Sequence, residues 1–129
     1  MTKSTLLEKY PVKSLTIKKS DTNLENVEQF MEHFKTKIEA DIIGKFIAIF
    51  DHYEHTTSLE GHEIADGIVD AKNIIFCFGQ KIPNPKILAI RPRSIAVVEE
   101  KDSFTVSFMQ APMQPINEKM ISWVKATLK

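Results

Sequence analysis

The spacing of apolar residues along the chain changes period several times, and each change marks an element. Over Val12–Lys18, Val12, Ser14 and Thr16 alternate with Lys13, Leu15 and Ile17, an imperfect period of two that predicts a short first strand. The polar run Lys18-Lys19-Ser20-Asp21 closes it. From Thr22 onward Leu24, Val27, Phe30, Met31, Phe34 and Ile38 recur at three and four, the stripe of a helix that ends near Gly44, and Thr22 with Glu25 has capping-box spacing. Phe46–His52, Ile74–Gly79 and Ile95–Glu99 are short runs with apolar residues at both odd and even positions, as in strands covered on both faces. Phe104, Val106 and Phe108 instead alternate with Ser103, Thr105 and Ser107, the mark of a strand with one wet face. Glu100–Ser103 reads as the turn joining the last two strands. Pro115 can open a second helix, in which Ile116, Met120, Val124 and Leu128 form one stripe.

The order β-α-β-β-β-β-α follows. Four consecutive strands leave no crossover helices, so an antiparallel sheet with two helices on one face, an α+β architecture, is expected. Residues 1–129 are read as a single domain, with about residues 1–10 as a loosely ordered N-terminal tail. Two helices cover one sheet face. Ile47, Ile49, Ile75, Cys77, Ala96 and Val98 should share the other, and leaving such side chains in water forfeits about 1.5–3 kcal/mol for each large one. A second copy of the chain, making a homodimer, or a small apolar ligand is expected there.

Composition narrows the function. With 43% apolar residues the chain has enough to build a core, so disorder is excluded as its main state. Seventeen basic against seventeen acidic residues give a formal net charge of zero, removing the general attraction to phosphate backbones or anionic lipid. Nucleic acid and membrane are therefore not expected partners. No apolar run approaches the roughly 18 residues of a membrane span, and Met1–Lys13 lacks the apolar core of a secretory signal. A cytoplasmic location is expected, and the lone Cys77 suits a reducing compartment as a buried, inert thiol.

Four segments carry a resemblance: Ile49-Phe50-Asp51-His52 at a strand end, Phe76-Cys77-Phe78-Gly79 before a proline-bearing loop, Arg91-Pro92-Arg93-Ser94 leading into Ile95–Glu100, and Thr105-Val106-Ser107-Phe108. On these the chain resembles an uncharacterised bacterial family, domain of unknown function number three hundred and two, over roughly Glu25 to Pro112. The resemblance implies a TATA-binding-protein-like β-α-β4-α fold and brings no activity with it. The chain departs from the family pattern in Gln80-Lys81-Ile82, which stand between Gly79 and Pro83, and in the long loop Tyr53–Ala71.

Several residues are candidates for a site. Asp51-His52 falls on the family motif, and an imidazole at a strand end can orient a proton or a ligand. Adjacent strand residues face opposite ways, so Asp51 is not the expected partner of His52. His52, His55 and His62, amid Asp51, Glu54, Glu60 and Glu63, form the densest group of potential metal ligands. Phe78 and Gly79 end a strand where a glycine lets a ligand or chain come close. Lys81, Lys86, Arg91 and Arg93 concentrate positive charge at which an anion could dock. Phosphate-loop, nucleophile-elbow and Cys-x-x-Cys signatures are missing, no cofactor is required, and no catalytic residue is assigned. The reading is a small non-catalytic binding or assembly module; the alternative is a histidine-centred metal or haem site, possibly enzymatic, at His52, His55 and His62.

Overall fold

Helix α1 (Val27–Ala40) buries Val27, Phe30, Met31, Phe34 and Ile38, the stripe expected from their spacing. Its cap lies four residues later than the Thr22–Glu25 pattern suggests: Asn26 Oδ1 accepts the Gln29 N–H at 2.9 Å. Thr22 is buried instead, its hydroxyl donating to the Thr127 carbonyl at 2.5 Å and accepting the Leu24 N–H at 3.2 Å. The helix stops at Ala40 rather than near Gly44. In the turn that follows, a Cβ on Gly44 would lie 2.9 Å from the Ile38 carbonyl oxygen, so glycine is needed for the close approach.

The computed structural model describes residues 1–7 and 9–129. Its strands are β1 (Thr2–Leu6), β2 (Tyr10–Lys18), β3 (Lys45–Phe50), β4 (Asp70–Cys77), β5 (Arg93–Glu99) and β6 (Ser103–Met109), and they form one antiparallel sheet in the order β1-β2-β6-β5-β4-β3. The architecture is α+β, as the pattern of elements predicts. Ile17, Ile74, Phe76, Ile95, Val97, Phe104, Val106 and Phe108 leave one face of the sheet to join α1 and α3 (Gln114–Lys125) in a single core. In β6 the wet alternation survives: Phe104, Val106 and Phe108 are buried while Ser103, Thr105 and Ser107 face the other side, partly exposed.

The third strand corrects the expected distribution of side chains between the faces. Directly opposed residues of an antiparallel ladder share a face. Phe46 pairs with Phe76, but Ala48 pairs with Ile75, so Ile47 is an extra residue in a β-bulge. Beyond it Ile49 stands opposite the fully buried Ile74 on the helix side, while Ala48 and Phe50 lie with Ile75 and Asn73 on the open side. Ile75, Cys77, Ala96 and Val98 take the open face as expected from their alternation; Ile49 does not, because one inserted residue inverts everything after it.

Three further differences have local causes. The tail expected over residues 1–10 carries β1, which pairs from Thr2↔Ser14 to Leu6↔Tyr10. All five of its residues are exposed, so the backbone ladder ties it down without any burial pattern to announce it. Strand β4 starts at Asp70, ahead of Ile74, since Asp70–Asn73 pair with Ala96–Glu99 despite their polarity. Inside the expected loop Tyr53–Ala71, and taking in His52, lies the short helix α2 (His52–Thr57). Among the described residues no helix is long and apolar enough to cross a membrane.

Candidate ligand-binding site

On the open face of the sheet the side chains at the centre are small. Ser94 and Ala96 of β5, Ser107 of β6 and Asn73 of β4 line the floor of a groove of about 870 Å³. Larger apolar side chains line it from two loops: Leu6, Leu7 and Tyr10 from the β1–β2 hairpin, and Ile90 and Pro92 from the segment before β5, where Ile87–Ile90 make a turn of 3-10 helix. Leu7 is 82% exposed and Leu6 60%, a concentration of apolar surface at one rim. Among the described lining residues there is no carboxylate, imidazole or thiol. The floor carries one polar link, Asn73 Nδ2 donating to Ser94 Oγ at 3.1 Å.

A second concavity of about 380 Å³ adjoins the first at the end of the sheet, and Ile90, Arg93 and Pro112 line both. Five of the candidate site residues singled out by the sequence meet here: Phe78, Gly79, Lys81, Arg91 and Arg93. A Cβ on Gly79 would stand 2.6 Å from Arg91 Nη1, so only glycine lets the guanidinium lie across that strand end. Arg91 Nη1 donates to the Lys81 carbonyl at 2.7 Å, which fixes its direction. Arg93 donates through Nη2 to the Met109 carbonyl, and its Nε is buried without a partner. Burial holds the Arg93 guanidinium below its ordinary pKa. Gln110, which lines the larger groove, likewise has its Oε1 buried with no partner.

The Asp51–Glu63 cluster is spread differently. Asp51 caps α2, its Oδ1 accepting the Glu54 N–H at 2.9 Å, and its Oδ2 accepts from Lys72 Nζ at 2.7 Å. Lys72 and the Glu54 N–H hold the Asp51 carboxyl below the usual carboxylate range. His52 turns the other way, its Nδ1 standing 3.2 Å from Asn73 Oδ1. His52 and His55 both pack on the Phe50 ring, with centroids 5.1 and 5.2 Å away. His62 lies in the next turn, its Nδ1 3.0 Å from the Leu59 carbonyl oxygen. Among the described residues no three His, Cys, Asp or Glu side chains are grouped to hold a metal ion.

Two features lie outside the expectations drawn from the sequence, and only the first has a local signal. Asp51 and Glu54 have capping-box spacing, the signal that announces α2. Asn117 is buried and holds the loop behind the smaller pocket: its Nδ2 donates to the Ala111 carbonyl at 2.9 Å and its Oδ1 accepts the Ala111 N–H at 2.7 Å. No periodicity marks such a residue. Cys77 is only partly buried, on the open face, its Sγ accepting the Gly79 N–H at 3.3 Å.

A family model described as a family of unknown function (DUF6858) matches residues 1–129. No curated protein and no solved structure gives a significant match.

Proposed function

The chain belongs to this family of unknown function, and we propose that it is a binding module that takes a small, mainly apolar molecule into the groove on the sheet face away from α1 and α3. The observation that carries the reading is the shape of that face. A floor of Ala96, Ser94 and Ser107 with Leu6, Tyr10 and Ile90 around it makes a concavity of about 870 Å³, in the size range of small-molecule sites. A flat, self-complementary patch would suit symmetric pairing of two copies better than a concave one. The groove is apolar with few polar atoms, so the ligand would gain chiefly from burial. Binding without catalysis is the reading because the described lining offers no carboxylate, imidazole or thiol, and none of its described side chains forms a nucleophile–base pair. The resemblance to the bacterial family numbered three hundred and two remains our proposal for the scaffold. In its favour, β2 to α3 without α2 keep the order β-α-β4-α.

The test uses the full chain, with Nile red as an uncharged apolar probe and light scattering for mass. We expect one-to-one binding by a monomer of 14.7 kDa. Ala96→Phe, which fills the floor, should weaken binding about tenfold or more while the variant unfolds cooperatively. A dimer that Ala96→Phe returns to the mass of one chain would assign the face to a second copy instead. Undiminished probe binding by folded Ala96→Phe would defeat the groove as the site.

A further inference from the structure

We propose that the smaller pocket, formed by Phe78, Gly79, Arg91, Arg93, Met113 and Ile116, is a separate binding site for the carboxylate of a small apolar acid. Charge in this pocket is unbalanced. Arg91, Arg93 and Lys81 all line this pocket, and none of its described lining residues is acidic. The ion pairs of the described residues engage Lys19, Lys72 and Lys119 and leave these three cations out. Clustered cations without counter-charge repel one another and focus a positive potential into the concavity between them.

Burial makes that imbalance costly for Arg93. Its guanidinium has given up part of its hydration, donates through Nη2 to one carbonyl, and keeps Nε buried with no acceptor. A buried charged group is ordinarily paired, and an unpaired one calls for a partner. Arg91 is not swinging freely in solvent to meet that need. The Lys81 carbonyl holds its Nη1, and Gly79 provides the space its guanidinium occupies. Such a fixed fork matches the planar, two-oxygen geometry of a carboxylate.

The rest of the pocket is apolar. Ile43, Phe78, Ile87, Met113 and Ile116 line it, so a strongly hydrated inorganic ion would leave most of the wall unused. A volume of about 380 Å³ suits a ligand of modest size. The class that satisfies both parts is a monocarboxylate with a short aliphatic or aromatic body. Phe78 connects the site to a reporter, because its ring lies 5.6 Å from that of the single tryptophan, Trp123.

The experiment titrates the full chain with octanoate, 1-octanol and inorganic phosphate, following heat and Trp123 fluorescence. Octanoate is expected to saturate with an affinity at least about tenfold above that of 1-octanol or phosphate. Arg91→Gln should remove that advantage. Gly79→Ala should weaken octanoate about tenfold with every charge retained, since the added methyl displaces the guanidinium. Both variants are checked for cooperative unfolding, and if Arg91→Gln does not fold, Arg91→Lys, which keeps the charge and loses the fork, should weaken octanoate binding, unchanged binding by it counting against the proposal. Equal binding of octanoate and octanol, or unchanged octanoate binding by folded Arg91→Gln and Gly79→Ala, would overturn the proposal. The groove reading stands or falls apart from it: Ala96→Phe should leave octanoate binding unchanged, and loss of octanoate binding in that variant would place the acid in the groove and overturn the separate site.

Discussion

The carboxylate of Asp51 and the ammonium of Lys72 stand 2.7 Å apart, joining the start of α2 to the first half of β4. The other Asp51 oxygen caps the helix, so one side chain serves a local connection and a long-range one.

Asp51→Ala should therefore lower the unfolding free energy by about 0.5–2 kcal/mol at neutral pH, the range for losing a helix cap, with the exposed ion pair adding little. The Asp51 pKa is lowered, first by Lys72 and then by the Glu54 N–H. Its contribution is present above the unfolded carboxylate value of about 3.9 and is lost as pH falls through the lower folded value. Lys72 is raised, chiefly by Asp51, so its share is lost only as pH rises through the folded lysine value. Urea unfolding of the protein and the variant should show a gap at neutral pH that closes in acid; a constant gap at all pH would contradict the role of the charge.

His33 also loses its contribution in acid, but through burial and not through a counter-charge. It is half-buried on α1, its Nε2 lying 2.9 Å from the Trp123 carbonyl oxygen on α3, and burial lowers its pKa despite that hydrogen bond. The unfolded chain takes up this proton first. Stability from the neutral imidazole is full above about pH 6.5 and falls as pH drops through that value towards the lower folded one. His33→Gln should flatten the dependence of the unfolding free energy between about pH 5 and 7, and an unaltered slope would assign it to other groups.

Asn117→Leu should cost about 2–5 kcal/mol, because it strands both the N–H and the C=O of Ala111 in a buried site. Asn117→Asp keeps an acceptor for the N–H but sets a carboxylate against the carbonyl, so it should not rescue the loss. Amide exchange at Ala111 measures the effect directly, and protection equal to that of the unaltered protein would contradict it.

Deletion of Ile47 should be tolerated within about 1 kcal/mol. Removing the bulge leaves each pair from Lys45↔Cys77 to Phe50↔Asn73 intact in an unbroken ladder, and Ile47 itself is 53% exposed. Deleting Ile49 instead would carry Phe50 to the helix side and should cost more. Denaturant midpoints of the two deletions decide it, and the reverse ranking would mean that the bulge shapes the strand in some needed way.

Much of the molecule was legible because burial leaves a local trace. The stripe from Val27 to Ile38 and the alternation from Ser103 to Phe108 each record the face an element turns to the core, and both are buried where they predict. Strand β1 has no such trace, being exposed throughout and held by backbone pairing alone. The candidate site was half legible: Phe78, Gly79, Arg91 and Arg93 stand out as residue types, but the pocket they share also needs Ile43 and Ile116 from distant parts of the chain.

By itself, then, the sequence determined the α+β class, the order of the main elements and the composition of the core, since these follow from periods of two and 3.6 within short windows. The tertiary structure decided which residues meet. The bulge at Ile47 inverts β3 relative to β4, Asp51 and His52 part towards Lys72 and Asn73, each 21 residues further along their own pairing, and the Arg93 guanidinium reaches Met109 across the sheet. Those outcomes depend on register and on contacts between segments far apart in the chain, where one inserted residue exchanges the two faces of a strand and no local periodicity records it.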